Sequence, residues 1–368
     1  MRDKINVLVT GVNGGSIGEQ IIKALRLSKK TNYFITATND TLFSKALFDA
    51  DNIDILPRAD SKFYIQELIK IVEKYNIKVI IPGTEAEIKV LKNFKKIFYL
   101  DFNVEVLINN NKKIFDICFD KYSTQDFISK NCFHENIGYL KNIVIDFKND
   151  DISEKLDSID FFPCVIKPLH GSGSKNIFII QNLYELKLIA IFLSINNSTL
   201  LIEEYVGDYN DKQEYTVGII NDYDDLKVLN SIVFKRIDEG LSKNITIPNT
   251  TNNKSFGDFL YISSGISQVE INETKEYKIV ADVCEYISEK MGSMGVINIQ
   301  CRYFNDKVYV MEINPRFSGT TCMRAMLGYN EPDLLIRKLL FDEDIEKRFQ
   351  YKTNGLILRG LQEKMIGE

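Results

Sequence analysis

The sequence has few residues that support thiolate or imidazole chemistry. It contains no tryptophan, only two histidines (His134 and His170), and six cysteines that form no Cys-x-x-Cys pair. A disulfide framework or a zinc site with sulfur ligands is therefore not expected. With so few imidazoles, a Ser-His-Asp or Cys-His catalytic set would be hard to assemble. Any metal chemistry in this protein must use oxygen ligands.

A surplus of positive charge and long apolar runs are also missing. The chain has 46 Lys and Arg residues against 51 Asp and Glu, which gives a net charge of -5. Because nucleic-acid binders normally carry a basic surplus, we expect no nucleic-acid partner. No apolar run reaches the roughly 18 residues that cross a bilayer, and the run at residues 5–10 is too short for a signal-peptide core. We therefore expect a cytoplasmic protein with no membrane partner.

The residues that are present predict a multidomain α/β protein. The chain has 368 residues, 45% of them hydrophobic, which is ample for two or three globular domains. Residues 5–10 form a strand pattern that is followed by a glycine-rich turn and an amphipathic helix. Further strands are expected at 33–38 and 79–83, so strands alternate with helices. This alternation favours a doubly wound parallel sheet over roughly the first 110 residues.

The rest of the chain predicts a mixed sheet with flanking helices. A tract of Asn and Lys at 109–113 interrupts the first pattern and marks a domain boundary. We predict domains at 1–112, 113–200 and 201–368, with helices at 121–130 and 275–290. The strands expected in this part are 176–180, 199–205, 214–220, 227–234, 295–303 and 307–313.

The most specific pattern is a predicted hairpin within residues 295–320. With a three-residue connection at 305–307, Gln300 lies directly opposite Glu312. Side chains alternate along a strand, so Glu312 and Asn314 share one face with Gln300. Mg²⁺ prefers such a partly filled oxygen shell, and Arg316 adds a cation suited to a phosphate. A polar hairpin that merely faces solvent is the alternative.

Two further segments offer groups that suit a nucleotide. Lys167 is followed by a loop whose backbone N–H groups and hydroxyls can bind phosphate, although its spacing differs from that of a Walker A loop. The extended backbone at 203–206 can present a C=O and an N–H to an adenine edge, and Glu214 can accept from ribose hydroxyls. Taken alone, the loop and the strands are ordinary structural elements.

In this order and spacing, the segments resemble the ATP-grasp family, and within it the ligases similar to the large subunit of carbamoyl-phosphate synthetase. The segments that carry the resemblance are Asp120-Lys121, Ile166–Pro168 with its loop, Glu203–Val206, Glu214–Val217, Asn298–Gln300 and Glu312–Gly319. Residues 9–15 resemble the domain that precedes the ATP-grasp module in these enzymes. The resemblance implies an α+β ATP-grasp fold: a Rossmann-like pre-ATP-grasp domain, a small central lobe and a C-terminal lobe with the metal site.

The resemblance also implies roles for individual residues. The predicted phosphate-binding residues are Lys121, Lys167 and the loop residues Gly171, Ser172, Gly173 and Ser174. The predicted adenine- and ribose-binding residues are Glu203, Tyr205, Val206 and Glu214. Gln300, Glu312 and Asn314 would ligate two Mg²⁺, for which Mn²⁺ can substitute. Arg316, Lys167 and Asn314 would act in catalysis, with Arg316 stabilising the transferred phosphoryl group.

The implied reaction is that of an ADP-forming carbon–nitrogen ligase. The γ-phosphoryl of ATP is transferred to a carboxylate, and an amine attacks the acyl-phosphate to give an amide. Positioning and charge neutralisation suffice for the first step. The partners are then a small-molecule carboxylate and an amine, and a homodimer is possible. The candidate substrate residues are Arg302 and Arg324, which can fork around a carboxylate, together with Gly15 and Glu85.

Other functions stay open from the residues alone. The Thr10–Gly18 turn with Asp40 could be a dinucleotide fingerprint of an NAD(P)-binding dehydrogenase, although its spacing departs from Gly-x-Gly-x-x-Gly. A non-catalytic ATP-binding protein is a second alternative. Within the ligase class, the acceptor could be bicarbonate or ammonia, or a sugar-linked carboxylate. A complete carbamoyl-phosphate synthetase is not expected, because the chain has one ATP-grasp module and no glutaminase segment.

Overall fold

The computed structural model describes residues 4–170, 176–237, 239, 245–262 and 267–366. Its first part is a five-stranded, entirely parallel sheet in the order β3-β2-β1-β4-β5. Its elements are β1 (Ile5–Val9), α1 (Ile17–Arg26), β2 (Tyr33–Asn39), a 3-10 helix (Lys45–Asp49), β3 (Asn52–Ile55), α2 (Tyr64–Lys74), β4 (Val79–Ile81), α3 (Glu85–Phe102) and β5 (Glu105–Val106).

This sheet confirms the predicted doubly wound parallel arrangement. Strands β1, β2 and β4 are buried almost throughout, as expected for parallel strands covered on both faces. The strand order reverses between β1 and β4, and loops that follow the two strands meet there. Sequence reasoning missed β3, a half-buried edge strand whose Asn52 and Asp54 weaken its apolar pattern.

The second part contains a four-stranded sheet in the order β7-β10-β8-β9. Its elements are α4 (Lys112–Cys118), α5 (Lys121–Asn131), β6 (Ile137–Gly138), β7 (Asn142–Asp146), α6 (Ile152–Asp157), β8 (Cys164–Pro168), β9 (Phe178–Ile180), α7 (Leu183–Ser194) and β10 (Thr199–Glu204). Ile166 and Ile202 pack with α6 and α7 in one apolar core. Because side chains alternate, Lys167 and Glu203 lie on the opposite face.

The third part is built on a seven-stranded sheet in the order β18-β15-β12-β11-β16-β17-β6, antiparallel except for the β17–β6 pair. Its elements are β11 (Glu214–Asn221), β12 (Val228–Ile237), β13 (Ile245–Pro248), a 3-10 helix (Lys254–Phe256), β14 (Phe259–Ile262), β15 (Gln268–Ile271), α8 (Lys275–Lys290), β16 (Gly295–Phe304), β17 (Lys307–Asn314), α9 (Thr321–Met326), α10 (Glu331–Phe341) and β18 (Gly355–Ile357).

The seven-stranded sheet has one apolar face and one polar face. Val217, Ile299 and Cys301 share the apolar face, against which α8 packs: Cys284 Sγ of that helix lies 4.0 Å from Cys301 Sγ. The residues between them in sequence therefore point to the other side of the sheet. We call that side the cleft face; its residues are Glu214, Thr216, Gly218, Asn298, Gln300, Arg302, Glu312, Asn314 and Arg236.

In the hairpin of β16 and β17, Gln300 lies opposite Glu312 as predicted, but the connection between the strands is shorter than predicted. The connection has two residues, Asn305 and Asp306, with φ of 49° and 58°, and Phe304 pairs with Lys307. The predicted three-residue connection was wrong. An irregularity between Gln300 and Cys301 adds one residue to β17, and this shift returns Gln300 to its place opposite Glu312.

Two further features concern the chain as a whole. All six cysteines are free thiols, and burial raises the pKa of the Cys132 thiol to about 11. Among the described residues, every helix is too short or too polar to cross a bilayer. The domain boundaries at 112 and 200 stay predictions.

Candidate functional site

Charged groups from all three parts of the fold meet at one place. Lys121, the first residue of α5, lies close enough to Lys167 of β8 and Glu312 of β17 to interact electrostatically with both. Glu85 of α3 and Glu203 of β10 lie within the same range. Burial lowers the pKa of the Lys121 ammonium from its usual value, and the neighbouring Lys167 lowers it further. The structure thus brings together both predicted phosphate-binding lysines and a predicted metal ligand.

The predicted metal ligands lie at the end of the β16–β17 hairpin. Gln300 Nε2 donates to Glu312 Oε2 over 3.2 Å, which places the two side chains on one face. Asn314 is 4% exposed, and its Nδ2 has no hydrogen-bond partner among the described residues. One carboxylate and two amides form a hard oxygen set that fits Mg²⁺. The described residues hold no cluster of three His, Cys, Asp or Glu side chains, so amide oxygens and ATP phosphates would have to complete the shell.

Sequence reasoning missed Arg236, which lies beside this group. Its Nη1 donates to Gln300 Oε1 over 3.2 Å and lies 3.0 Å from Glu214 Oε1, while its Nε donates to Ser267 Oγ. Arg236 is 7% exposed. Its strand, β12, was predicted to end at 234, so the alternation that puts Arg236 on the cleft face was not available from the pattern.

Glu214 and Arg302 form the centre of a buried polar network. Arg302 Nε donates to Glu214 Oε2 over 3.3 Å, and its other nitrogens donate to the carbonyl oxygens of Val206 (2.6 Å) and Tyr261 (3.1 Å). The guanidinium also lies 4.3 Å from the centre of the Tyr261 ring. Gly207, with φ of 134°, allows this approach, since a Cβ there would lie 3.2 Å from Arg302 Nη1. The ribose role of Glu214 and the clamp role of Arg302 stay predictions.

The predicted adenine residues lie on the cleft side of the four-stranded sheet. Glu203 is 1% exposed and forms an ion pair with Lys167, which is 5% exposed. Tyr205 packs edge-on against Phe256 at 5.4 Å, and its hydroxyl oxygen accepts from the backbone N–H of Tyr261. A small apolar cluster with Tyr205 and Phe256 and the buried Lys167–Glu203 ion pair therefore lie in this segment of the fold. No contact tests the adenine role of Glu203, Tyr205 or Val206, which stays a prediction.

Arg316 and Arg324 have different surroundings. Arg316 Nη2 lies 2.6 Å from Glu85 Oε1, at the N-terminus of α3, so this pair joins the loop after β17 to the parallel-sheet part of the fold. Arg324 is fully buried and donates to Glu331 Oε1 over 2.8 Å and to Asn298 Oδ1 over 2.5 Å. Its guanidinium is bonded to protein acceptors, which supports a structural role. The clamp role of Arg324 stays a prediction, and the complete burial of the side chain does not favour it.

The other predicted residues lie in the glycine-rich segments. Gly15 has φ of 76°, and its N–H donates to Glu19 Oε2 over 2.6 Å, which fixes the turn before α1. A Cβ on Gly15 would meet nothing within 4 Å, so the turn borders open space. Gly171, Ser172, Gly173 and Ser174 lie outside the described residues.

Two family models match the chain. Residues 264–361 match the model described as ATP-grasp in the biosynthetic pathway with Ter operon. Residues 15–107 match the PylC-like N-terminal domain. A 177-residue segment is 28% identical to the carbamoyl phosphate synthase large chain of Thermoanaerobacter pseudethanolicus; it covers 46% of this chain and only 14% of that protein.

Solved structures share the fold over nearly the whole chain. One is the biotin carboxylase domain dimer of Hydrogenobacter thermophilus 2-oxoglutarate carboxylase, in complex with MgADP, ADP and bicarbonate: TM-score 0.63, 13% identity, covering 96% of this chain and 74% of that one. Another is an L-amino acid ligase from Bacillus licheniformis, with TM-score 0.59, 13% identity, and coverage of 92% and 74%. The predicted ATP-grasp fold class, with its N-terminal parallel-sheet domain, is confirmed.

Proposed function

Because the chain carries an ATP-grasp domain behind a PylC-like N-terminal domain, we propose that it is an ATP-dependent, ADP-forming carboxylate–amine ligase. The observation that carries this proposal is the meeting of Lys121, Lys167 and Glu312 with the Gln300 and Asn314 amides in one site. Two cations and a hard oxygen set suit the triphosphate of Mg·ATP. A dehydrogenase or a purely structural hairpin gains no support from this arrangement.

The chain's own residues account for the first chemical step. Lys121 and Lys167 neutralise phosphate charge. Burial lowers the pKa of Lys121, and a bound anion stabilises the ammonium form of this lysine. Arg316 lies in the loop after β17 and contacts Glu85. From there it can stabilise the phosphoryl group as it is transferred to a carboxylate oxygen. Gln300, Glu312 and Asn314 would hold Mg²⁺, which would neutralise phosphate charge when bound; two ions are part of the proposal.

The second step joins the acyl-phosphate to an amine. The amine nitrogen attacks the acyl carbon, phosphate leaves, and the nitrogen loses a proton, so the products are an amide, ADP and phosphate. The likeness to an L-amino acid ligase supports an amino acid as one substrate. The likeness to a biotin carboxylase domain in complex with bicarbonate supports the one-carbon alternative equally well, so the products have to distinguish the two. A homodimer and a cytoplasmic location remain part of the proposal.

The test is Mg²⁺-dependent ADP release across a matrix of carboxylates and amines, ammonia and bicarbonate included, with mass spectrometry of the products. We expect ADP release that requires one carboxylate and one amine, with a product lighter than their sum by one water. ADP release without any condensed product, or with bicarbonate alone, would replace the amide ligase with another ATP-dependent reaction. Bound ATP that is never hydrolysed would leave the non-catalytic alternative.

A further inference from the structure

Helix α7 has one apolar side that the fold covers and a second apolar side that lies open to water. On the inner side, Leu186, Ala190 and Leu193 are buried in the core of the four-stranded-sheet part. On the other side, five large apolar side chains are 51–74% exposed. We call them the outer stripe; they are Tyr184, Leu188, Ile191, Phe192 and, at the C-cap, Ile195. A helix that is apolar all round is normally covered all round, so the sequence of α7 is that of a helix with a partner on its outer side.

The outer stripe has the spacing of a seam between two helices. Its members at 184, 188, 191 and 195 follow one another at intervals of four, three and four residues. This is the a/d pattern by which two helices pack side by side. Helix α3, in the same described part of the chain, also exposes three large apolar residues, but these lie within a single turn at 97, 99 and 100. The partner that fits α7 is therefore a helix with a stripe of the same spacing, and a second copy of this chain supplies one.

The area of the outer stripe agrees with a small dimer interface. Each of its five side chains is more than half exposed, which leaves on the order of 500 Å² of apolar surface in contact with water. A contiguous apolar patch of this size is large for a monomeric protein. Two copies joined through the outer stripe would bury about 1,000 Å² in total, at the low end for a specific interface. We therefore expect a dimer that dissociates in the micromolar range.

The charged groups beside the outer stripe permit this pairing. Glu185 Oε2 accepts from the backbone N–H of Gln181 over 2.8 Å, and Lys187 forms an ion pair with Asp157 of α6 over 2.5 Å. Since the stripe itself carries no charge, the contact would bury no unpaired ion. A two-fold axis between positions 188 and 191 makes the two helices antiparallel, which opposes their dipoles. The two Glu185 side chains then lie about 13 Å apart along the helix axis.

The same charged groups argue against a membrane as the occupant. A helix that lies on a bilayer is attracted by basic residues beside its apolar face. Helix α7 has a single basic residue, Lys187, which Asp157 already neutralises. In the neighbouring α6, Lys155 is likewise paired with Asp150, and Glu154 adds a negative charge. An anionic lipid surface would meet no free positive charge among these residues of α6 and α7.

We propose that two copies of this chain associate through α7, with their outer stripes packed antiparallel. Leu188 of one copy then faces Ile191 of the other. Lys167 and Glu203 lie on the face of the four-stranded sheet opposite the core that α7 covers, so the contact is remote from both. The proposal goes beyond the ligase reaction and does not depend on it, because it names the surface through which a dimer forms.

The first experiment measures association of the whole chain by sedimentation velocity between about 0.1 and 100 µM protein. We expect a monomer–dimer equilibrium for the wild type. Ile191→Glu should raise the dissociation constant at least about 100-fold, because a charge enters the contact twice, and Leu188→Glu should act in the same way. Leu100→Glu on α3 is the matched control, since Leu100 and Ile191 are both 63% exposed, and it should leave the dissociation constant unchanged.

Two results would overturn the proposal. One is a wild type that stays monomeric over the whole concentration range. The other is a dimer that Ile191→Glu and Leu188→Glu both leave intact while their far-UV circular dichroism matches the wild type. A monomeric wild type that binds phosphatidylserine vesicles, and loses this binding on Ile191→Glu, would replace the second copy by a membrane.

A second experiment tests the direction of the pair. Leu188→Lys and Ile191→Glu proteins are mixed at equal concentration, so that in the antiparallel pair a new ammonium group faces a new carboxylate. We expect the mixture to associate at least about 10-fold more tightly than either variant alone. A mixture that associates no more tightly than its components would overturn the antiparallel contact.

The ligase reaction is tested separately on the same proteins. Ile191→Glu should release ADP at the wild-type rate per protomer, because the outer stripe is remote from Lys167 and Glu203. A wild type that forms the dimer but releases no ADP with any substrate pair would reject the ligase and leave the α7 contact standing. A wild type that releases ADP as a monomer at all concentrations would do the reverse.

Discussion

The five-stranded parallel sheet and the seven-stranded sheet meet at one site but contribute to it in different ways. The parallel strands are buried on both faces, so their contribution comes from a segment after a strand end, where Glu85 lies near Lys121. The seven-stranded sheet contributes a whole face, on which Gln300 and Glu312 are cross-strand neighbours and Asn298 accepts a hydrogen bond from Arg324 of α9. At the edge of the parallel sheet, Glu85 makes a single ion pair with Arg316. On the cleft face, Glu214, Arg236, Gln300 and Glu312 form a connected network of hydrogen bonds and ion pairs.

We expect the largest effect, on the free energy of unfolding, from a substitution that breaks the buried network on the cleft face. Arg324→Met leaves the fully buried Glu331 without its cation, and burial already raises the pKa of that carboxyl above its usual value. Removing one partner of a buried pair costs about 3–5 kcal/mol, and we expect the free energy of unfolding in urea to fall by that amount. A loss below about 1 kcal/mol, the size of a surface pair, would show that the network is not buried in solution.

Gly218→Ala tests the same contact from the neighbouring strand. A Cβ at Gly218 would lie 2.2 Å from Arg324 Nη1, so alanine cannot be accommodated unless the ion pair moves. Gly319→Ala is the matched control, because a Cβ there would meet nothing within 4 Å. We expect Gly218→Ala to lower the free energy of unfolding and Gly319→Ala to leave it nearly unchanged. Equal effects of the two substitutions would contradict the close approach.

The next effect concerns activity on the cleft face. Glu312→Gln removes the one carboxylate of the predicted metal set while keeping its shape. We expect Mg²⁺-dependent ADP release to fall about 10²- to 10³-fold, with the free energy of unfolding unchanged. Asp306→Asn at the tip of the same hairpin is the control, since Asp306 interacts with Tyr303 outside the site. ADP release from Glu312→Gln at the wild-type rate would reject the metal assignment.

A smaller effect is expected at the edge of the parallel sheet. Glu85→Gln removes the charge that holds Arg316, whose side chain is 13% exposed while that of Glu85 is 21% exposed. A pair of this kind contributes up to about 1 kcal/mol, so kcat should change by no more than about fivefold. Steady-state kinetics check this, with Asp101→Asn at the exposed far end of α3 as the control. A change as large as that of Glu312→Gln would mean that Glu85 acts directly in the chemistry.

The smallest effect appears in the pH dependence. Burial lowers the pKa of Lys121, so this lysine loses its proton at a lower pH than a free lysine does. Because the ammonium form binds phosphate, affinity for an ATP analogue should decrease as pH rises through the lowered pKa. Lys121→Arg stays charged and should keep its affinity to higher pH. Parallel pH profiles of the wild type and Lys121→Arg, measured as dissociation constants, would exclude a role for this titration.

The sequence predicted the hairpin well because its information is local. Gln300 and Glu312 are separated by twelve positions, and they lie on one face because the irregularity in β17 offsets the shorter turn. The predicted turn length was wrong by one residue, and the shift in β17 compensated for it. A buried face thus determines register more strongly than the turn does, since a one-residue slip would move every polar side chain to the other side.

Arg236 and Arg359 could not be found in the same way. Each contacts residues far away in sequence: Arg236 Nη1 donates to Gln300 Oε1, and Arg359 donates to the carbonyl oxygen of Gly319. Nor does the sequence tell which arginines have carboxylate partners, because most of these pairs among the described residues join different elements, as Arg316–Glu85 and Arg348–Glu285 do. Arg324 was predicted to clamp a carboxylate, yet it is fully buried and donates to Glu331 of α10.

What the sequence by itself determined is the set of elements and the chemistry of their polar faces. Its strand and helix periods, and its scarcity of histidine and paired cysteine, limited the site to oxygen ligands, lysines and arginines. Tertiary structure alone decided which of these charges form ion pairs with one another, as Lys167 and Glu203 do. The physical reason is that a charge pair depends on distances of a few ångströms between elements, which no local pattern encodes.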